Sequence, residues 1–161
     1  MSSTDSKTAS LHLLRSPVEL ERFLPARELA SALQRWLQPW HDPLPDVERG
    51  LRDALQPDQP LQGFVLLATR DDGRPCGALV MLSTGMDGYI PGHLLLYIAV
   101  DPATRGQGLG GRLIEEARRH CPQGIKLHVE LENPAGRLYE RLGFTQKYRE
   151  MRWLPAPEGT A

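Results

Sequence analysis

The chain reads as an α/β domain in which helices flank a mixed, mainly antiparallel sheet. Three observations point to this class. Two apolar runs, Gly63–Arg70 and Cys76–Ser83, flank Asp71-Asp72-Gly73-Arg74-Pro75, which is the signature of a β-hairpin between antiparallel strands. A third run, His93–Val100, leads through a glycine-rich turn into an amphipathic helix, Leu109–His120, and then a strand, Ile125–Leu131. Strand, helix and strand joined this way make a right-handed crossover, so Ile98 and Leu127 are expected on adjacent parallel strands. Finally, most of the chain before Pro57 carries helical periodicity.

In chain order, Leu11–Leu14 forms a short first strand. Ser16-Pro17-Val18-Glu19 then provides an N-cap, a proline at the first helical position and a capping-box glutamate. Leu20, Phe23 and Leu24 make one apolar stripe, Pro25 breaks it, and Leu29, Leu33, Trp36 and Leu37 resume at helical spacing. Trp40–Pro45 is a turn, and Val47, Leu51, Ala54 and Leu55 mark another short helix. After the hairpin, Gly85, Gly88, Pro91 and Gly92 punctuate a loop. Past the crossover, Pro134 opens a last helix through Leu142, Gly143 caps it, and Thr145–Leu154 reads as a final strand region.

A chain of 161 residues with a formal charge of −1 bounds a single soluble domain without a basic patch for nucleic acid. The N-terminus lacks the apolar core of a signal peptide and no stretch is long enough to cross a bilayer, so the expected location is the cytoplasm. Cys76 and Cys121 stand apart with no metal-ligand spacing, which predicts reduced thiols and no metal site.

The chemistry lies in the turn after Val100. Gly106, Gly108, Gly110 and Gly111 permit backbone angles closed to other residues and a close approach of ligand to main chain. The helix they open has unpaired N–H donors and a positive dipole end, which suits phosphate oxygens, and Arg105 adds a cation. Gly110 is followed by Gly111-Arg112 rather than Lys-Ser/Thr, which disfavours a nucleoside triphosphate. A dinucleotide fingerprint survives only in part, as Gly108-x-Gly110 with Glu130 about 20 residues on.

The segment Arg105-Gly106-Gln107-Gly108-Leu109-Gly110 does match Arg/Gln-x-x-Gly-x-Gly/Ala. With Ile98–Pro102 upstream, and Leu127–Val129, Asn133–Ala135 and Leu138–Phe144 downstream, the chain resembles the GNAT superfamily, the Gcn5-related N-acetyltransferases. The resemblance implies a single N-acetyltransferase domain over 11–154, with a disordered segment at 1–10 and a tail at 155–161. It implies acetyl-CoA as cofactor, a primary amine as acceptor and direct attack in a ternary complex. It also implies that the parallel strands splay after Ile98, so that the pantetheine arm pairs with the edge of Ile98, Ala99 and Val100. Arg105–Gly111 then takes the pyrophosphate, and a freed N–H on the strand faces the thioester carbonyl. Asn133 and Tyr139 complete the cofactor set, although the step from Asn133 to Tyr139 is one residue shorter than in many members.

In the family, a tyrosine at the place of Tyr139 protonates the departing thiolate, a transfer between groups of pKa near 10 and about 8–9. Two bases are open. His128 stands where ribosomal-protein alanine acetyltransferases carry a glutamate, and Glu130 shares its strand face by alternation. Some members carry a base on the strand before the glycine turn, a solution that the apolar Leu94, Leu95 and Leu96 exclude here, and His93 is a third candidate. Trp40, His41, Asp87 and Tyr89 lie on turns expected to line the acceptor pocket, with Asp87 a partner for an ammonium. The acceptor is a small-molecule amine or a protein N-terminus, and the final strand is left to pair across a homodimer. The rival readings are a non-catalytic acyl-CoA sensor on the same fold and a dinucleotide-dependent oxidoreductase.

Overall fold

A computed structural model describes residues 8–159. The expected disordered segment at 1–10 lies mostly outside these, and the first strand begins within it, at Ser10. Packing divides the chain into two units, one ending at Leu127 and the other beginning at His128.

The first unit is a five-stranded sheet in sequence order: β1 (Ser10–Leu14), β2 (Phe64–Thr69), β3 (Pro75–Ser83), β4 (His93–Val100) and β5 (Ile125–Leu127). The first four strands pair antiparallel and β5 runs parallel to β4. The hairpin between β2 and β3 turns as expected, with Gly73 at a left-handed φ of 82°. β2 is buried along its whole length, which explains an apolar run without alternation.

Helices α1 (Pro17–Glu21), α2 (Ala26–Leu37) and α3 (Leu44–Leu55) separate β1 from β2. Ser16 caps α1 through its hydroxyl, which accepts the Glu19 N–H. α1 ends at Glu21, short of the expected break at Pro25, and Pro25 stands as the N-cap of α2. Leu29, Leu33 and Trp36 of α2 and Val47, Leu51 and Leu55 of α3 join Val65, Leu67, Ala78, Val80, Tyr97 and Ala99 in one core. The opposite side of the sheet is covered by α4 (Leu109–Arg118), whose Leu109 and Leu113 reach over Gly77 of β3. Leu113 and Ile114 are fully buried, and truncating either to Ala removes about 2–5 kcal/mol.

Two features of this unit set up the site. The β3–β4 register jumps from Val80↔Tyr97 to Met81↔Leu95, so Leu96 is the extra residue of a β-bulge. As a result, the neighbours Leu96 and Tyr97 both approach Gly50 of α3, where a Cβ would stand 2.6 Å and 3.0 Å from their side chains. The β4–β5 ladder has three pairs and ends at Leu95↔Leu127, directly before the bulge. The expected strand to Leu131 therefore stops at Leu127: a bulge bends and twists its strand, and the parallel ladder does not continue across it.

The second unit holds α5 (Ala135–Arg141). Gly143, at φ 90°, terminates it, and the Phe144 N–H returns to the Tyr139 carbonyl at 3.0 Å. The strand expected at Thr145–Leu154 is not present: this segment joins no ladder, and Tyr148, Met151, Trp153 and Leu154 are exposed. The proposed pairing of a final strand across a homodimer loses its structural basis with it.

Candidate active site

The glycine turn begins where β4 leaves the sheet. Asp101 Oδ1 accepts the Ala103 N–H at 3.0 Å, starting a single 3-10 turn over Pro102–Thr104. The Arg70 guanidinium donates to the other Asp101 oxygen at 2.8 Å, tying this turn to the hairpin. Gly106 and Gly108 have left-handed φ of 80° and 77°, while Gly110 and Gly111 do not, so only the first two are required by their angles. Gly108 is the N-cap of α4 and offers no side-chain acceptor; the first helical bond runs from Arg112 N–H to the Gly108 carbonyl at 3.1 Å. The N–H groups of Leu109, Gly110 and Gly111 thus begin a ten-residue helix without a cap or an acidic residue in its first turn. An anion of pyrophosphate type fits this end of the helix.

Arg105 is placed differently from the expectation. Its Nη2 donates to the Trp36 carbonyl at 2.6 Å and its Nε to the Val100 carbonyl at 3.2 Å. Ile98, Ala99 and Val100 pair with Leu79, Ala78 and Gly77 of β3, and their other edge has no ladder partner among the described residues. That open edge is the requirement for an extended amide-bearing arm to pair with β4. Gln107 is exposed in the turn.

On the acceptor side, Trp40 is half-buried and His41 exposed in the α2–α3 loop. Asp87 and Tyr89 are exposed in the Thr84–Gly92 loop, which Thr84 closes through a 2.7 Å bond from its hydroxyl to the Pro91 carbonyl. Sequence reasoning missed the contact that anchors the first of these loops: the Tyr97 hydroxyl donates to Asp42 Oδ2 at 2.9 Å. Burial and the neighbouring Asp42 and Asp46 carboxylates push the Tyr97 phenol well above its ordinary value. His93 is half-buried, and burial lowers its pKa. Its ring stands 6.1 Å from that of Phe64.

Within the second unit, Tyr139 is buried with its ring edge-on to Phe144, and burial pushes its phenol up to about 12. Asn133 Oδ1 accepts the Ala135 N–H at 3.0 Å, so this side chain braces the entry to α5. His128 and Glu130 are exposed and lie outside any strand, so the sheet face they were expected to share is not formed.

Comparison with known proteins accords with this geometry. Residues 62–146 match the acetyltransferase (GNAT) domain family. The chain is similar to a peptidyl-lysine N-acetyltransferase, YjaB, of Salmonella typhimurium: 27% identical over 118 residues, covering 73% of this chain and 74% of the relative. Among solved structures, the aminoglycoside N-acetyltransferase AAC(6')-Iy in complex with CoA superposes with a TM-score of 0.64 at 21% identity, covering 93% of this chain and 97% of that one. The ribosomal-protein-alanine N-acetyltransferase of Brucella melitensis gives 0.61 at 20% identity, over 91% and 99%. The chain belongs to the GNAT acetyltransferases. It is an N-acetyltransferase that takes its acetyl group from acetyl-CoA. The dinucleotide reading is set aside accordingly. No described helix is long and apolar enough to cross a membrane.

Proposed function

We propose that the chain acetylates a primary amine by direct attack within a ternary complex, with the acceptor a small-molecule amine or an amino group of a protein. The observation that carries this reading is the open edge of β4 past Leu95, continuous with an uncapped glycine entry to α4. Bound there, acetyl-CoA supplies an activated acyl carbon and a thiolate leaving group.

The chain's own groups divide the remaining work. Main-chain N–H groups of Gly106–Gly111, with Gln107 beside them, hold the phosphates, while Arg105 braces this turn through the Trp36 and Val100 carbonyls. The edge of Ile98, Ala99 and Val100 positions the arm, and a backbone N–H beside the bulge polarises the thioester carbonyl. Tyr139 gives its proton to the departing sulfur; a phenol near pKa 12 stays protonated throughout the working range. His128 or Glu130 takes the ammonium proton, and exposure lets either work through water. Asn133 supports the cofactor side through its brace on α5, while Trp40, His41, Asp87 and Tyr89 line the acceptor approach. We assign the reaction to the cytoplasm, which agrees with two buried free thiols.

A panel of amines incubated with acetyl-CoA, read as free thiol released, tests this reading. Release that depends on a primary amine is expected. Binding of acetyl-CoA with no amine-dependent release across small amines, lysine peptides and peptide N-termini would overturn it in favour of the sensor.

A further inference from the structure

A groove of about 710 Å³ runs between α2 and the hairpin that joins β2 to β3. It is lined by four arginines, Arg27 and Arg35 from α2 and Arg70 and Arg74 from the hairpin, against two carboxylates, Glu28 and Asp101. Ala32, Trp36 and Pro75 give it an apolar lining as well. A chain whose formal charge is −1 thus gathers a positive excess in one concavity.

The chain does not neutralise these cations itself. Arg35 has no carboxylate partner among the described residues. Arg27 and Arg74 approach Glu48 and Asp72 only to 4.0 Å and 3.7 Å, contacts that hold little in water. Arg70 is the fixed member: its Nη2 donates to Asp101 at 2.8 Å, and its backbone N–H donates to the Arg74 carbonyl at 2.9 Å, which holds the two hairpin arginines side by side. A guanidinium carries five donors in a rigid fork, so one bond to Asp101 leaves donors for a further anion.

The spacing selects the ligand. Arg27 and Arg35 stand eight residues apart on one helix, or about 12 Å along its axis, too far for one phosphate or carboxylate to bridge. That span equals about four residues of extended chain, whose successive side chains point to opposite sides and so meet arginines on both walls. Glu28 and Asp101 interrupt the cations. A continuous phosphate backbone would be repelled by them, whereas a peptide can set neutral side chains there and lay an apolar one on the lining.

We propose that this groove is a docking site for an extended acidic segment of a partner protein, about four to five residues long, with acidic side chains on both sides of an apolar one. The site goes beyond the acetyltransferase reading and does not depend on it.

The probe is the peptide Asp-Glu-Leu-Glu-Asp, labelled with fluorescein at its N-terminus and amidated at its C-terminus, which leaves no amine to acetylate. Fluorescence anisotropy with the full chain should show saturable binding that weakens as salt is raised. The equally labelled Asn-Gln-Leu-Gln-Asn should bind about tenfold more weakly or worse. Arg35→Glu and Arg74→Glu, at unchanged Tm, are each expected to weaken the acidic peptide about tenfold and to leave acetyl-CoA affinity within twofold. Arg119→Glu makes the same change of charge on exposed α4 flank, on the other side of the sheet, and should leave peptide binding within twofold. No saturable binding to the wild type, equal binding of the neutral peptide, or an equal loss in Arg119→Glu overturns the proposal. So does displacement of the peptide by acetyl-CoA, which gives the groove to the cofactor, or tighter binding there of a single-stranded oligonucleotide.

Discussion

Arg105 in the glycine turn donates to the backbone carbonyl of Trp36 in the last turn of α2, 2.6 Å away, while its Nε holds the Val100 carbonyl. One guanidinium therefore fastens the glycine turn to the helix from which the α2–α3 loop departs at Gln38. The positive group also sits where a helix C-terminus is favourable for a cation.

Arg105→Ala is expected to cost about 1–2 kcal/mol of stability and to weaken both substrates. Thermal unfolding reads the first effect, and the KM values for acetyl-CoA and amine read the second. Arg105→Lys should recover less than half of the lost Tm, because a single ammonium lacks the fork that spans two carbonyls. Full recovery by lysine would show that only charge matters.

Gly108 and Gly110 should separate. At φ 77°, Gly108→Val imposes a left-handed strain of roughly 1–2 kcal/mol and crowds the anion-facing backbone. Acetyl-CoA affinity should fall at least tenfold, equivalent to about 1.4 kcal/mol. Gly110→Val carries no left-handed strain, so its loss should be the smaller in Tm even where binding suffers. Calorimetric titration and thermal melts on both variants decide this.

Tyr139→Phe keeps the buried ring against Phe144 and removes the proton. Acetyl-CoA should still bind, with kcat down by about 10²-fold. Because burial holds the phenol near 12 rather than near 10, raising pH through 10 should not deprotonate it. The wild-type rate is expected to stay flat across that interval; an alkaline fall centred near 10 that vanishes in Tyr139→Phe would contradict the raised phenol pKa while still marking Tyr139 as the acid.

If His128 accepts the ammonium proton, kcat/KM should rise with pH through a limb that His128→Gln flattens. A limb lost only in Glu130→Gln identifies the carboxylate. One that persists through both changes reports the free amine itself.

Gly63 is required by close packing. A Cβ there would lie 2.0 Å from the Met81 carbonyl oxygen and 2.7 Å from its carbon, both backbone atoms that cannot swing away. Gly63→Ala should destabilise by about 3 kcal/mol, or roughly 10 °C in Tm, while leaving the KM values of the surviving fold unchanged.

The elements that were legible from the amino-acid order have local punctuation. Asp71-Asp72-Gly73 marks the hairpin, Ser16-Pro17 the start of α1, and the glycines the entry to α4. What escaped depends on partners distant in sequence. Leu94, Leu95, Leu96 and Tyr97 form one apolar run, so nothing in it marks Leu96 as the bulge or turns Tyr97 toward a loop 55 residues earlier. His128–Leu131 and Thr145–Leu154 have strand-like patterns, yet a strand exists only where a ladder receives it, and neither segment has one. Arg105 fits a phosphate by charge alone; only its reach to the Trp36 carbonyl shows what it holds.

The sheet's order of pairing has a kinetic consequence. Because β1 to β4 follow one another as antiparallel neighbours and β5 adds just three parallel pairs at the rim, the weakest seam in the sheet is that between β4 and β5. Amides of β5 should exchange with solvent through local opening, well before those of β2 and β3. On the proposed pairing of acetyl-CoA with the open edge of β4, the cosubstrate should slow exchange there first, acting as the last strand of the fold.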